Sequence, residues 1–222
     1  MAEIESFEGR EAMTREAARA VTRALTDAAE GGRASLACSG GSTPIPLYEA
    51  LSGETGVPWE RVLVTLADER DAPDGHDARN DKLVRQHLLR GPARHADFTP
   101  LVGTDRLPQD LLPLTVAVMG MGEDGHTASW FPTSPGLTEA LEGPERAVVR
   151  CVPDPMPEGA PYERLTLTRA AITNAGLILL LVTGEKKRAV LEEAMRHGQV
   201  EVMPVRALVH AREANLRILY AD

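Results

Sequence analysis

One short run of the sequence has residues suited to acid–base chemistry. GMGEDGHTASWFP, at positions 120–132, places three glycines around Asp124 and His126, directly after an apolar strand. Glycines in such a turn let the backbone fold tightly or let a ligand approach. A histidine with an ordinary pKa of about 6.5 suits a general base near neutral pH, and Asp124 is close enough to orient or tune its ring. We expect His126 to be the acid–base residue; the alternative is a structural histidine in a loop.

A second run, SGGSTP at positions 39–44, is typical of anion binding. Gly40 and Gly41 permit close approach of the backbone. Ser42 and Thr43 are predicted at a helix N-terminus, with Thr43 as N-cap and Pro44 as the first helical residue, where free N–H groups favour phosphate. The run lacks both the P-loop and the dinucleotide-binding patterns. It predicts a phosphate site, with an ordinary strand-to-helix turn as the alternative.

Three cations could complete such a site. Arg70 ends the run ADER, and its planar guanidinium could hold a phosphate with two hydrogen bonds. Arg164 lies in YERLTLT, and Lys187 falls in the first turn of a predicted helix, an unfavourable place for a cation unless an anion binds there. The ordinary alternatives are an exposed charged loop for Arg70, a surface ion pair for Arg164 and a solvated helix face for Lys187.

Other chemistries find less support in the sequence. No H-E-x-x-H pair and no zinc-type spacing of Cys and His occurs, so we expect no metal. Ser39 and Ser42 lie outside a G-x-S-x-G motif, which argues against a serine nucleophile. The remaining histidines have no comparable setting and are interpreted as surface or core residues.

The elements that must position these residues alternate between apolar strands and amphipathic helices. Strands are predicted at 34–38, 61–67, 114–120, 177–184 and 215–221, and helices at 10–30, from Pro44 through Leu51, near 78–89 and at 185–198. This order indicates an α/β fold: a Rossmann-like, mainly parallel sheet with helices on both faces, forming a single domain over 1–222. The carboxyl ends of its strands should converge on one site. The Pro-rich stretches 92–113 and 153–161 are interpreted as surface loops.

Composition narrows the class of partner. The chain has 222 residues and a formal net charge of −9, which argues against nucleic acid or an anionic membrane and requires a local cationic pocket for any anionic substrate. The two cysteines, Cys38 and Cys151, are too few for a disulfide framework and are predicted in buried strands. We therefore expect the protein to occupy a reducing compartment. The first 20 residues are acidic and helical in pattern, unlike a signal peptide, so we expect a cytoplasmic protein, monomeric or a small homo-oligomer.

The motifs SGGSTP, ADER, GMGEDGHTASWFP, ERLTLT and TGEKK, in this order, resemble the glucosamine-6-phosphate isomerase/6-phosphogluconolactonase family over nearly the whole chain. The resemblance to its lactonase branch implies hydrolysis of 6-phospho-D-glucono-1,5-lactone in the oxidative pentose phosphate pathway, without a cofactor. It further implies that His126 is catalytic with Asp124 beside it. The phosphate would be held by Gly40, Gly41, Ser42, Thr43, Arg70, Arg164 and Lys187. Family members usually have Ser-Asn after DER; here Arg79 precedes Asn80, so Asn80 is retained in the site and only the neighbouring contact changes.

Two other functions are compatible with the same resemblance. The isomerase/deaminase branch typically has A-F-N-E-P after the histidine and uses a following Glu, whereas this chain has ASWFP and no carboxylate between His126 and Glu139. A non-catalytic sugar-phosphate sensor would need a DNA-binding element, for which the chain has no spare segment. The sequence therefore favours lactone hydrolysis.

Overall fold

Five apolar runs form the centre of a parallel sheet. The computed structural model describes residues 3–211 and 214–222. The central strands are β2 (Ala34–Cys38), β3 (Val62–Leu66), β6 (Val116–Met119), β9 (Leu177–Thr183) and β10 (Leu216–Ala221). Every residue of β2, β3 and β6 is buried, so both faces of the sheet are covered at its centre. These five predicted strands are confirmed to within two residues at each end, and Cys38 is buried as expected.

Two short strands extend the sheet at its edges. The strands β1 (Ile4–Ser6) and β5 (Asp97–Phe98) give the order β1-β10-β9-β6-β2-β3-β5, with every pairing parallel. The prediction of a helical pattern at the N-terminus was therefore wrong for Ile4–Ser6. The chain leaves β2 toward one edge and β6 toward the other. Their carboxyl ends form a topological switch point, the usual place for a ligand in an open α/β sheet.

The structure also contains a second, antiparallel sheet, which the sequence did not predict. It consists of β4 (Asp68–Arg70), β8 (Arg164–Leu167) and β7 (Val148–Cys151), in the order β4-β8-β7. The interpretation of Arg70 as part of an exposed charged loop was therefore wrong, because Arg70 pairs in register with Arg164. This small sheet continues directly from β3 and so brings β8 to the carboxyl edge of the parallel sheet.

The helices cover the sheet and fill the connections. They are α1 (Arg10–Glu30), α2 (Ile45–Ser52), α3 (Asn80–His87), α4 (Leu137–Glu142), α5 (Arg169–Thr173), α6 (Glu185–Ala194) and α7 (Arg206–Val209). The predicted bounds of α1 are confirmed, and its apolar stripe packs on β2 and β10. The stretch 92–113 is not a surface loop: Leu101, Leu107 and Leu111 are buried, whereas 153–161 has no helix or strand. Within 3–211 and 214–222, no helix is long and apolar enough to cross a membrane.

Candidate active site

The carboxyl ends of β2, β4 and β6 surround one cavity of about 290 Å³. Most of the residues predicted for the site line it: Gly40, Gly41, Ser42, Thr43, Arg70, Asn80, His126 and Lys187. Asp124 is not part of the lining and reaches the cavity through His126. Arg164 lies instead in an adjoining cavity of about 310 Å³, which shares Asp68, Arg70, His126 and Ala128 with the first. The structure thus brings all ten predicted residues together around two connected spaces.

The turn after β6 holds His126 between a carboxylate and an aromatic ring. The Nδ1 atom of His126 lies 2.6 Å from Oδ1 of Asp124, which also accepts the backbone N–H of His126 at 3.1 Å. The backbone of Gly122 donates to the carbonyl of His126 at 2.9 Å, closing the turn. Phe131 packs against the imidazole with ring centroids 4.8 Å apart. Because Nδ1 faces Asp124, Nε2 is left for a bound molecule, and nothing in the described chain hydrogen-bonds to it.

The carboxylate of Asp124 is adapted to a partner that can carry positive charge. Desolvation alone would raise the pKa of Asp124, but the hydrogen bonds and charge of His126 outweigh it, so the pKa is lowered from its ordinary value. A carboxylate that stays ionised can fix the tautomer of the imidazole and stabilise an imidazolium. The pair therefore has the geometry of a base with an orienting group.

Buried polar groups hold the start of the SGGSTP loop at the end of β2. The hydroxyl of Ser39 donates to the carbonyl of Val118 at 2.7 Å, and the buried Tyr48 donates to the carbonyl of Ser39 at 2.7 Å. These contacts tie the ends of β2 and β6 together. The prediction of Thr43 as a side-chain cap was wrong: α2 begins at Ile45, and the Thr43 hydroxyl lies 3.4 Å from that of Thr183.

Asn80 connects the glycine loop with β4. Its amide nitrogen donates to the carbonyl of Asp68 at 2.8 Å, and its amide oxygen accepts Nη1 of Arg70 at 2.7 Å. A Cβ atom built on Gly40 would lie 1.9 Å from that amide oxygen, so only glycine fits beside Asn80. Arg79 is not part of the cavity lining, and its guanidinium pairs with Asp81, at 2.9 and 2.6 Å. The Arg-Asn pair thus leaves the contact of Asn80 with the site intact.

Arg164 differs from its predicted alternative as a surface ion pair, because it is only 4% exposed. Its guanidinium donates to the carbonyls of Ala160 and Tyr162 rather than to a carboxylate. Burial is the main reason that its pKa is lowered from the ordinary arginine value, and the neighbouring charge of Arg70 adds to the effect. Two guanidinium groups side by side favour a bound anion between or beside them.

Sequence reasoning missed two polar residues of the site. Asp68 lines both cavities, and its Oδ2 accepts the hydroxyl of the buried Ser129 at 2.6 Å. Asp68 could have been found from its position as the first charge after β3. Ser129 offered no comparable signal, since its role depends on the turn at Ala128, which has a positive φ of 48°. In the part of the chain described, no group of three or more His, Cys, Asp or Glu is placed to hold a metal.

A parallel sheet that presents a His–Asp pair, a glycine-rich loop and several cations at its carboxyl edge defines an α/β enzyme for a small anionic molecule. Residues 8–218 match the protein family described as glucosamine-6-phosphate isomerases/6-phosphogluconolactonase. The chain belongs to this family.

Several proteins of this family are similar to the chain over most or all of its length. The chain is 40% identical to 6-phosphogluconolactonase of Caulobacter vibrioides, covering 99% of this chain and 97% of that protein. It is 42% identical to the Pseudomonas aeruginosa protein of the same name, covering 88% and 85%. A crystal structure of a 6-phosphogluconolactonase from Shewanella baltica superposes with a TM-score of 0.89 at 36% identity, covering 100% and 98%. The predicted fold class and family are thereby confirmed.

Proposed function

We propose that this chain hydrolyses 6-phospho-D-glucono-1,5-lactone to 6-phospho-D-gluconate, the second step of the oxidative pentose phosphate pathway. The observation that carries the proposal is the His126–Asp124 pair beside a cavity that also contains Arg70 and Lys187. The relatives named 6-phosphogluconolactonase support the substrate. Hydrolysis consumes only water, and the proposal includes no metal and no other cofactor.

In the proposed mechanism, His126 serves both steps. Its Nε2 takes a proton from a water molecule as the water oxygen attacks C1 of the lactone and the carbonyl electrons move onto oxygen. The tetrahedral intermediate then collapses: the bond between C1 and the ring oxygen breaks, and Nε2–H returns the proton to that oxygen. Asp124 holds the ring and stabilises the imidazolium between the two steps.

The phosphate of the substrate would be held by the remaining predicted residues. The loop from Gly40 to Thr43 offers backbone N–H groups, and Arg70 and Lys187 supply charge in the same cavity. Arg164 would act from the adjoining cavity. A chain with a net charge of −9 can bind an anion only where such cations are concentrated.

The proposal extends to organisation and place of action. One hydrophobic core includes buried residues from α1 to β10, which supports a single domain over 1–222. Both cysteines are free and buried, which suits a cytoplasmic protein. We expect a monomer or a small homo-oligomer.

Proton release after addition of freshly generated lactone, compared with a blank without protein, tests the activity directly. His126→Asn should lower kcat by about 100-fold or more and leave KM comparable, because it removes the base and keeps the binding groups. A variant with unimpaired kcat would refute the role of His126. Melting curves of both proteins exclude misfolding as the cause.

Sugar-phosphate isomerisation or deamination is the second candidate, favoured by one observation: Asp68 adds a carboxylate to the cavity. The residues from 127 to 138, which follow the histidine, contain none. We expect no ammonia release from glucosamine 6-phosphate under conditions in which the lactone is hydrolysed. A sensor without catalysis would show neither reaction.

A further inference from the structure

Glu69 is a buried carboxylate that the proposed mechanism does not use. It lies in the middle of β4 between Asp68 and Arg70, and its side chain is fully buried. Burying an ionised carboxylate is costly unless hydrogen bonds and charges compensate. Burial raises the pKa of Glu69, while hydrogen bonds from three backbone N–H groups oppose the rise. A group this costly next to a binding cavity calls for a role.

The contacts of Glu69 join β4 to the start of α3. Its Oε1 accepts the backbone N–H of Asn80 at 2.7 Å, and its Oε2 accepts that of Asp81 at 2.8 Å. These are the first two residues of α3, whose N–H groups have no partner within the helix. Oε1 also accepts the N–H of Arg70 at 2.6 Å. The side chain of Arg79, which precedes α3, makes no cap hydrogen bond, so Glu69 takes that place from another element.

Asn80 connects the N-terminus of α3 to residues of the cavity. Its side chain accepts Nη1 of Arg70, donates to the carbonyl of Asp68 and lies against Gly40. Asn80 is 1% exposed, so its side chain has little freedom to compensate for a shift of its backbone. A displacement of the N-terminus of α3 would therefore reach the guanidinium of Arg70 and the SGGSTP loop together.

We propose that Glu69 is a positioning residue, which fixes the N-terminus of α3 so that Asn80 orients Arg70 in the cavity. The inference rests on the proposed function, since Arg70 is taken to bind the substrate. A purely structural role is the competing explanation, because Arg79 lies within 4.0 Å of Glu69 and the two belong to a buried ion cluster with Asp81. The two explanations differ in whether substrate affinity changes in protein that is still folded.

Glu69→Gln is the first variant to measure, since it keeps the shape and one acceptor oxygen but places donor hydrogens against a backbone N–H. We expect KM for the lactone, and the dissociation constant of 6-phosphogluconate measured by calorimetry, to rise about tenfold, with kcat within about threefold. Glu49→Gln is the matched control, because the Glu49 carboxylate binds His87 at the other end of α3, at 2.9 Å. It should leave both constants unchanged.

A double-mutant cycle tests the route through Arg70. If Glu69 acts by orienting Arg70, adding Glu69→Gln to Arg70→Ala should change KM by less than about twofold. Glu69→Asp, which keeps the charge but shortens the reach to α3, should give an intermediate KM and serves if the Gln variant does not fold.

Three results would overturn the proposal: folded Glu69 variants with unchanged constants, a lowered melting temperature as their only change, or an equal rise of KM with and without Arg70. Loss of the proposed function itself would appear separately, as a wild-type protein that does not hydrolyse the lactone. Binding of 6-phosphogluconate can still be measured in that case.

Discussion

Gly122→Ala should disable the His126–Asp124 pair without disturbing the fold. A Cβ atom on Gly122 would lie 2.3 Å from both Nδ1 and Cε1 of His126 and 2.5 Å from Oδ1 of Asp124. The φ of Gly122 is not positive, so alanine brings no backbone strain of its own. The substitution therefore acts on the position of the imidazole and its carboxylate.

The size of the effect follows from the distances. Ordinary van der Waals contact begins at 3.4 Å, so a contact of 2.3 Å falls short by 1.1 Å, the amount by which the ring must move. A misplacement of about 1 Å in a catalytic group can cost about 100-fold in rate. We therefore expect kcat for the lactone to fall by about 100-fold, close to the effect of His126→Asn.

The assay is proton release at saturating lactone, with melting curves to show that the variant is folded. Gly56→Ala is the control, because a Cβ at the exposed Gly56 would meet nothing within 4 Å and its φ is likewise not positive. Adding Gly122→Ala to His126→Asn should cost little more, since the displaced group is already absent. The reasoning would be refuted by a kcat within about threefold of wild type, or by an undiminished further loss in the double variant.

Two more predictions concern the charges of the site. Lys187→Ala should lower kcat/KM by about 10- to 100-fold, because it removes a charge-assisted hydrogen bond to the substrate. Lys186 is exposed and lies outside the cavity lining, so Lys186→Ala should leave kcat/KM unchanged. Steady-state kinetics of the two variants test the difference. Asp124→Asn should lower kcat and, because the folded pKa of Asp124 is lowered, should also remove stability that is present above about pH 5 and lost as pH falls. The pair is half-exposed, so this loss is at most about 1 kcal/mol, and the melting difference between variant and wild type should shrink toward pH 3.

The elements that the sequence predicts well are those with a long apolar pattern. The bounds of α1 and β2 agree with the prediction, because a 21-residue amphipathic helix has a clear helical periodicity and the short buried strand is bounded by glycine-containing turns on both sides. The edge strands Ile4–Ser6 and Asp97–Phe98 were missed, since three or two half-exposed residues form no pattern. Their strand conformation depends on the neighbour that pairs with them.

The site could be predicted where glycines mark a strand end, and not where a role depends on distant contacts. The turns around Gly40 and Gly122 are visible in the sequence because glycine is required there, and they led to the SGGSTP loop and to His126, whereas Asn80 was named only through the family resemblance. Glu69 appears in the sequence as one charge among three, and nothing local shows that α3 will begin on its carboxylate. Pairing of this kind is decided by tertiary structure, which a single sequence does not display.

The antiparallel sheet explains why Arg164 lines the adjoining cavity and not the cavity that contains most of the predicted residues. The parallel sheet supplies the backbone turns and His126, while β4 and β8 place Arg70 opposite Arg164 and bring Asp68 between the two cavities. These two strands are separated by more than 90 residues in sequence, and each is only three or four residues long. The cationic part of the site is thus built at the joint between two sheets. A chain with an excess of acidic residues can in this way concentrate positive charge at one edge of the sheet, by combining cations from different elements.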